Sequence, residues 1–344
     1  MNSALSAAYE DFPLHLHHII PLDFNSAITV PESHIWPKSD HDFVSSNGHH
    51  PSLPVIDLND PRVTQLIGHA CETWGAFQLV NHGIPLSLLN DAEAETRRLF
   101  SLPTKQKLKA LRAPGGTTGY GIARIAPFFT KFMWHEGFTI IGSPSDHAKL
   151  LWPCDHAQFC DVMEKFQKTM RILAGRLTKL ILKSLDITVE DLNWVDSTST
   201  STTALQLNSY PSCPNPNRAL GLAPHTDTSI LTILHQSSIS GLQIFKEEVG
   251  WVSVPPIADA LVVNVGDLLH ILSNARFRNT LHRVLVNQER HRLSMAFFYC
   301  PPMDFNLVPV AKSGQAPKYR SVAMKEFISI KAKHLEKSLS FIKI

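Results

Sequence analysis

The sequence predicts a mainly β fold with flanking helices, in which the core is an antiparallel sandwich or barrel. From about residue 203 to 310, short runs rich in β-branched and aromatic residues alternate with Gly, Pro and Asn. Strand-sized runs that recur roughly every 8 to 12 positions are typical of such folds. The runs are ALQLNSY, SILTILHQ, GLQIFK, WVSVP, ALVVNVG, LHRVLV and LSMAFFYC.

Helical patterns flank this region. The longest covers about 157–185, where apolar side chains share one stripe and predict a helix that faces the core. Upstream, LPVIDL at 53–58 predicts a strand, and a helical pattern follows it. GAFQLVNHGIP at 75–85 then predicts a helix stop, a strand and a turn. Further helices are predicted from about 86 to 110 and from about 321 to 339.

The patterns divide the chain into five segments. They are an irregular arm over 1–50, an N-terminal α/β region over 51–155, a backing helix and connector over 156–202, the β core over 203–310, and a C-terminal helix and tail over 311–344. A chain of 344 residues can bury a large core, either as one elaborated domain or as a core with an N-terminal partner.

Composition narrows the class of partner. The formal net charge is +2 and 18% of residues are charged. The chain therefore lacks the strong positive charge that is typical of nucleic-acid-binding proteins, and a small-molecule partner is favoured. The five cysteines are scattered without a C-x-x-C pair, which argues against a disulfide framework and a zinc ribbon. No targeting signal or membrane-length apolar stretch is present. We therefore expect a cytoplasmic protein without a membrane partner, and a monomer.

The candidate chemistry lies in polar pairs within apolar surroundings. Three pairs at i, i+2 spacing lie in or beside predicted strands: Asn208 with Tyr210, His225 with Asp227, and Arg292 with Ser294. An isolated H-x-D triplet arises by chance about once in a chain of this composition. Because side chains two apart in a strand share a face, and buried polar groups need partners, the three pairs are expected to converge on a charged ligand.

A third metal ligand is expected at His282, in the run LHRVLV. Two imidazoles and one carboxylate leave open positions on a six-coordinate metal, which suits non-haem iron(II). Zinc also accepts these ligands, but a zinc hydrolase does not explain Arg292. The planar guanidinium of Arg292 could pair bidentately with a carboxylate, assisted by the hydroxyls of Ser294 and Tyr210.

Together these motifs resemble the plant 2-oxoglutarate/iron dioxygenases. H-x-D, a distal His, R-x-S ten residues later, N-x-Y upstream and an N-terminal W-G-x-F-x-x-x-N-H-G-I occur in that family's order and span nearly the whole chain. The resemblance implies a double-stranded β-helix, or jelly-roll, core. It also implies Fe(II), 2-oxoglutarate as cosubstrate and ascorbate as reductant.

The resemblance implies roles for the paired residues. Iron is expected on His225, Asp227 and His282, and the C5 carboxylate of 2-oxoglutarate on Arg292 and Ser294, with support from Asn208 and Tyr210. These seven positions match the family's motifs residue by residue.

A narrower resemblance to gibberellin 3-beta-dioxygenases comes from SHIWP, GYGIARIAPFFTKFMWHEGFT and LWP. It implies 3β-hydroxylation of C19 gibberellins, GA9 to GA4 and GA20 to GA1. NSYP at 208–211 departs from the NYYP common in these enzymes, and His135 replaces the usual small polar residue.

The predicted substrate pocket combines apolar walls with a cation, because a gibberellin is a rigid, apolar carboxylic acid. The candidates are Arg124, Lys131, Trp134 and Phe132. Arg124 is favoured as the carboxylate anchor, since it follows a glycine-rich turn among apolar residues, where a buried guanidinium needs an anion. The competing interpretation is a surface loop with solvated charges.

Two functional alternatives remain at this point. One is another plant oxygenase of the family, such as a gibberellin 2- or 20-oxidase or a flavonoid enzyme. The other is a cupin-like barrel that binds a small ligand without turnover.

Overall fold

The computed structural model describes residues 9, 12–24, 26–37, 51–187, 194, 201–311 and 315–344. Parts of the predicted arm (1–50) and of the predicted connector (156–202) lie outside the described residues. Among the described helices, none is both long enough and apolar enough to cross a lipid bilayer.

The described strands are short and almost all antiparallel. In chain order they are β1 (Val55–Asp57), β2 (Ala76–Val80), β3 (Gly119–Gly121), β4 (Glu136–Ile140), β5 (Thr202–Tyr210), β6 (Leu220–His225), β7 (Leu231–Gln236), β8 (Leu242–Lys246), β9 (Gly250–Ser253), β10 (Leu261–Val265), β11 (His282–Leu285), β12 (Arg292–Cys300), β13 (Asn306–Leu307) and β14 (Val322–Ala323). All seven runs predicted for the β core form strands.

Two sheets form the core. The larger has the order β1-β2-β10-β7-β12-β5-β4-β3, and the smaller has the order β6-β11-β8-β9. Their inner faces line one shared cavity. This is the jelly-roll arrangement with an N-terminal α/β region that the sequence predicts, and it confirms the fold class.

Alternation along β12 separates the site from the core. Arg292 and Ser294 point into the cavity between the sheets. Leu293 and Met295 point the other way and belong to the hydrophobic cluster that includes the helices. The period of two in a strand therefore puts chemistry on one face and packing on the other.

The described α-helices cover the outer face of the larger sheet and one end of the core. They are α1 (Val63–Thr73), α2 (Leu86–Phe100), α3 (Thr104–Lys107), α4 (Ser145–Leu151), α5 (Ala157–Ser184), α6 (Asp267–Leu272) and α7 (Met324–His334). The long helix α5 packs against α1 and α2 and against strands β7 and β12. The predicted core-facing helix at 157–185 is confirmed.

Two predicted helices are shorter than expected. The pattern over 86–110 is one helix only to Phe100, and separate turns follow Pro103. Proline lacks the amide hydrogen that continues a helix, and its ring clashes with the preceding turn. The pattern over 321–339 is α-helical only to His334, because Leu335 has a φ of 44° and the chain continues as a 3₁₀ helix.

The sequence did not predict strands β3, β4 and β6. Strand β4 is obscured by a charged residue, since Glu136 is buried on the packing side of the sheet. Its carboxylate accepts hydrogen bonds from Lys107 Nζ at 2.6 Å and from Tyr120 Oη at 2.5 Å. A pattern of apolar residues in the sequence does not show that a buried carboxylate has hydrogen-bond partners elsewhere in the chain. Strand β6 contains Gly221 and Pro224, which are typical of turns.

Candidate active site

A cavity of about 340 Å³ lies between the two sheets. Strands β5, β7, β10 and β12 line one side, strands β6, β8 and β11 line the other, and helix α7 contributes to its border. Tyr9, Phe12 and Leu14 of the N-terminal arm also reach it. The structure brings all seven residues of the predicted metal and cosubstrate sites to this cavity: Asn208, Tyr210, His225, Asp227, His282, Arg292 and Ser294.

The predicted metal ligands converge at one end of the smaller sheet, where β6 ends and β11 begins. His225 ends β6, His282 begins β11, and the two residues are direct partners in the antiparallel register. Their Nε2 atoms lie 3.8 and 3.9 Å from Asp227 Oδ1. One ligand atom from each residue lies within 4.8 Å of the others, and all three residues are buried.

Hydrogen bonds orient both imidazoles for metal binding. The Nδ1 atom of His225 lies 2.8 Å from the Ala223 carbonyl oxygen, and that of His282 lies 3.0 Å from the Thr280 carbonyl oxygen. A carbonyl accepts only from a protonated Nδ1, which leaves Nε2 with a free lone pair. Burial, and secondarily the neighbouring His282, lower the pKa of His225 to about 3, so its ring is neutral at physiological pH. Asp227 Oδ2 is buried without a hydrogen-bond partner.

A buried lysine that the sequence analysis missed supports this site. Lys331 Nζ on α7 donates to Thr226 Oγ1 at 2.6 Å and to Asp267 Oδ2 at 2.7 Å. The amide of Asp267 in turn donates to the Asp227 carbonyl oxygen at 2.8 Å. The sequence did contain a sign of this role, because Lys331 lies at the spacing that continues the buried stripe of Phe327 and Ile328 on α7.

The two other polar pairs face each other across neighbouring strands. Arg292 is the register partner of Tyr210, and Ser294 is the register partner of Asn208. Burial raises the pKa of the Tyr210 hydroxyl, while the charge of the neighbouring Arg292 opposes that rise. The sequence predicts the shared face of each pair, and the strand register joins the pairs into one polar patch.

The guanidinium of Arg292 is held on one side and open on the other. Its Nε donates to the Ile239 carbonyl oxygen at 3.1 Å, and its Nη2 donates to Gln236 Oε1 at 3.3 Å. Its Nη1 is buried without a partner. Burial lowers the pKa of Arg292, and the nearby Tyr210 opposes that shift. A buried cation with a free donor is suited to an anionic ligand.

Asn208 is fixed by a residue whose role the sequence did not predict. His135 Nε2 lies 3.0 Å from Asn208 Oδ1, and Asn208 Nδ2 lies 3.5 Å from Ser294 Oγ. Burial lowers the pKa of His135 to about 4, so the ring is neutral and its Nε2–H donates to the amide oxygen.

The predicted substrate residues are not all at the cavity. Arg124 lines it, but Lys131, Phe132 and Trp134 do not. Backbone bonds from Phe132 to Ser33 and from Trp134 to Leu220 turn this part of the chain away.

The side chains of the excluded residues have other partners. Lys131 Nζ donates to the Glu32 carbonyl oxygen at 3.0 Å. Phe132 packs beside His34, and Trp134 Nε1 donates to the Pro211 carbonyl oxygen at 3.1 Å. The assignment of Lys131, Phe132 and Trp134 to the substrate pocket is therefore corrected.

Similarity to known proteins agrees with this geometry. Residues 201–301 match the family model of the 2OG-Fe(II) oxygenase superfamily. Gibberellin 3-beta-dioxygenase 1 of Pisum sativum is 52% identical to this chain, over 99% of the chain and 94% of the relative. The chain belongs to the 2OG-Fe(II) oxygenase superfamily. Gibberellin 3-beta-dioxygenase 1 of Arabidopsis thaliana is 47% identical, over 100% of this oxygenase and 99% of the relative.

The N-terminal region and the fold have matches of their own. Residues 53–158 match the model described as the non-haem dioxygenase in morphine synthesis N-terminal region. A crystal structure of JOX2 in complex with 2OG, Fe and JA is 28% identical, has a TM-score of 0.76, and aligns 88% of this oxygenase with 89% of that chain. A rice dioxygenase for auxin oxidation, 23% identical with a TM-score of 0.70 over 85% of this chain and 100% of its own, shares the fold.

Membership implies that the oxygenase uses Fe(II) and 2-oxoglutarate. The cavity fits both groups. Its His, Asp, His donor set leaves open positions on a six-coordinate metal, and the unpartnered Asp227 Oδ2 is available beside them. The free Nη1 of Arg292 provides a buried donor for a carboxylate in the same cavity.

Proposed function

We propose that this oxygenase is a gibberellin 3-beta-dioxygenase, which hydroxylates the 3β position of C19 gibberellins, GA9 to GA4 and GA20 to GA1. The observation that carries the proposal is identity of 52% and 47% to gibberellin 3-beta-dioxygenases over nearly the whole chain, with a converged His, Asp, His triad in the cavity. The proposal includes action in the cytoplasm as a monomer, with ascorbate as the reductant.

In this proposal His225, Asp227 and His282 hold Fe(II). Both imidazoles present Nε2, and the single carboxylate offsets one of the two positive charges of the metal. With 2-oxoglutarate and O2, the bound iron supplies the oxidising power that converts a C–H bond to C–OH. The contribution of the three side chains is ligation in a buried site, with three positions left for the cosubstrate and oxygen.

Arg292 is proposed to bind the C5 carboxylate of 2-oxoglutarate. Its Nη1 is free to donate, and the Ser294 and Tyr210 hydroxyls lie on the same patch. Because Nε and Nη2 are already bound to protein oxygens, the guanidinium plane is held in place before the ligand arrives. Asn208, held by His135, supports the cosubstrate from the adjacent strand.

The remaining cavity surface is proposed to bind the gibberellin. Side chains such as Ile125, Phe128 and Leu222 form apolar walls, while Arg124 supplies a cation for the carboxylate. Phe12 of the arm lies beneath the Lys333 ammonium of α7, at 4.6 Å. This contact joins the two segments that border the cavity and helps to exclude water from the bound substrate.

Product analysis tests this proposal. The protein is reconstituted with Fe(II) and 2-oxoglutarate without oxygen, and then receives oxygen together with GA9 or GA20. We expect succinate and the 3β-hydroxylated product by mass spectrometry against standards. Hydroxylation at C2, oxidation at C20 or turnover of flavonoids alone would assign a different oxygenase activity. An absence of succinate with every substrate would favour a binding protein without turnover.

A further inference from the structure

A second buried arginine lines the cavity and has no role in the chemistry described above. Arg112 follows α3 and precedes the glycine-rich turn, and only 3% of its surface is exposed. Its Nη2 donates to the Ile122 carbonyl oxygen at 2.7 Å. Its Nε is buried without a hydrogen-bond partner. The side chain borders the same cavity as the proposed metal site.

Arg112 and Arg124 form a cationic pair at this wall. Arg124 Nη1 donates to the Gly116 carbonyl oxygen, and Arg124 Cζ lies 4.1 Å from the centre of the Tyr9 ring. Burial, and secondarily the charge of Arg124, lower the pKa of Arg112 to about 9, so Arg112 remains charged at neutral pH. Among the described residues, no carboxylate is within ion-pair distance of either guanidinium.

A glycine permits this arrangement. Gly121 has a φ of 159°, and a Cβ there would lie 2.9 Å from the Ile19 carbonyl oxygen and 3.6 Å from Arg112 Cζ. A side chain at this position would therefore press on the arm and occupy space beside the guanidinium. Glycine therefore allows the arm to approach this part of the cavity wall closely.

The positive charges at this wall of the cavity favour the binding of an anion. A buried charge without a partner is costly, and a free buried Nε–H adds the cost of an unmade hydrogen bond. Arg112, with its free Nε, and the half-buried Arg124 border a cavity whose lining also includes the apolar side chains of Ala123, Ile125 and Phe128. An organic acid with an apolar body satisfies both features at once, because its carboxylate offsets the charges while its body contacts the apolar walls.

We propose that Arg112, together with Arg124, binds the carboxylate of the substrate. The identification of that substrate as a gibberellin rests on the proposed function. The two buried arginines of the cavity have different protein partners, since Arg292 bonds to Ile239 and Gln236 whereas Arg112 bonds to Ile122. Arg112 thus contributes to selection of an acid as substrate and to its orientation, while Arg292 serves the cosubstrate.

The test compares an acid with its neutral ester. The Fe(II) and 2-oxoglutarate complex is titrated without oxygen by calorimetry, first with GA9 and then with GA9 methyl ester. Parent protein is compared with Arg112→Gln and with Lys109→Gln, an exposed cation three residues earlier. The parent and Lys109→Gln are expected to prefer the acid by roughly 10- to 150-fold, the effect of a hydrogen bond to a charged group. Arg112→Gln is expected to lose most of that preference while its 2-oxoglutarate affinity is unchanged.

Each outcome separates this proposal from the proposed function. An undiminished acid preference in Arg112→Gln, or a loss confined to 2-oxoglutarate binding, would overturn the role of Arg112. If the parent binds Fe(II) and 2-oxoglutarate but no gibberellin, the proposed function fails, and kaurenoic acid with its methyl ester becomes the probe pair. Acid preference in that pair that depends on Arg112 would support the anion site. Equal binding of acid and ester, or binding of neither, would overturn it.

Discussion

The ammonium group of Lys331 donates a 2.6 Å hydrogen bond to the hydroxyl of Thr226, the residue between His225 and Asp227. The same ammonium forms a 2.7 Å ion pair with buried Asp267, so one side chain joins the C-terminal helix to the metal-site loop. Because α7 also borders the cavity, the order of this helix and the geometry of the triad are coupled.

Lys331→Met is expected to lower both stability and metal affinity. The change removes the ammonium and leaves the buried Asp267 carboxylate without its ion-pair partner, which costs about 3 to 5 kcal/mol in the free energy of unfolding. Chemical denaturation and anaerobic Fe(II) titration measure the two effects. Lys325→Met, an exposed lysine on the same helix, should leave both quantities near those of the parent. Unchanged stability in Lys331→Met would mean that the ion pair contributes little.

His225→Ala, Asp227→Ala and His282→Ala are each expected to abolish turnover and to weaken Fe(II) binding without unfolding the protein. Each variant removes one of three protein ligands from the proposed site. Succinate formation and anaerobic calorimetric titration provide the measurements. His235→Ala is a matched control, because His235 lies in β7 on the face of the larger sheet that points away from the cavity, and it contacts Glu93. Near-parent succinate formation in any triad variant would rule out that residue as a ligand.

Arg292→Lys is expected to raise the apparent KM for 2-oxoglutarate. An ammonium cannot reproduce the paired donors of a guanidinium, and loss of one charge-assisted bond costs about 1.5 to 3 kcal/mol, or roughly 10- to 150-fold. Initial rates at varied 2-oxoglutarate check this value, with the exposed Arg290→Lys as control. If 2-oxoglutarate dependence is the same in Arg292→Lys and in the parent, Arg292 has a structural role instead.

His135→Gln is expected to make the metal-free protein less sensitive to acid. Burial lowers the pKa of His135 from 6.5 to about 4, so the unfolded chain takes up a proton that the folded state resists. This residue therefore reduces stability as pH falls from about 6.5 towards 4, by up to about 3 kcal/mol. Glutamine has no such titration but keeps a donor for Asn208. Unfolding free energies measured across this pH range should fall less steeply in the variant, and equal slopes would contradict the prediction.

The local periodicities of the sequence determined most of the elements and the faces of the site residues. Runs of period two predicted the strands of the core, and the stripe over 157–185 predicted α5. The i, i+2 spacing of Arg292 with Ser294 predicted a shared face, which β12 has. These inferences hold because strand and helix geometry depends on residues close together in the chain.

Tertiary structure alone decided which distant groups meet. The ten-residue spacing of His282 and Arg292 was compatible with one long strand, yet they lie in opposite sheets across the cavity. Lys131 and Trp134 matched the expected pocket composition, but bonds to Glu32 and Pro211 hold them elsewhere. Arg112 belongs to none of the sequence motifs, so the sequence alone did not predict it as a site residue. A buried ion needs a partner at a distance of a few ångströms, and only the folded chain decides which residues, far apart in sequence, come that close.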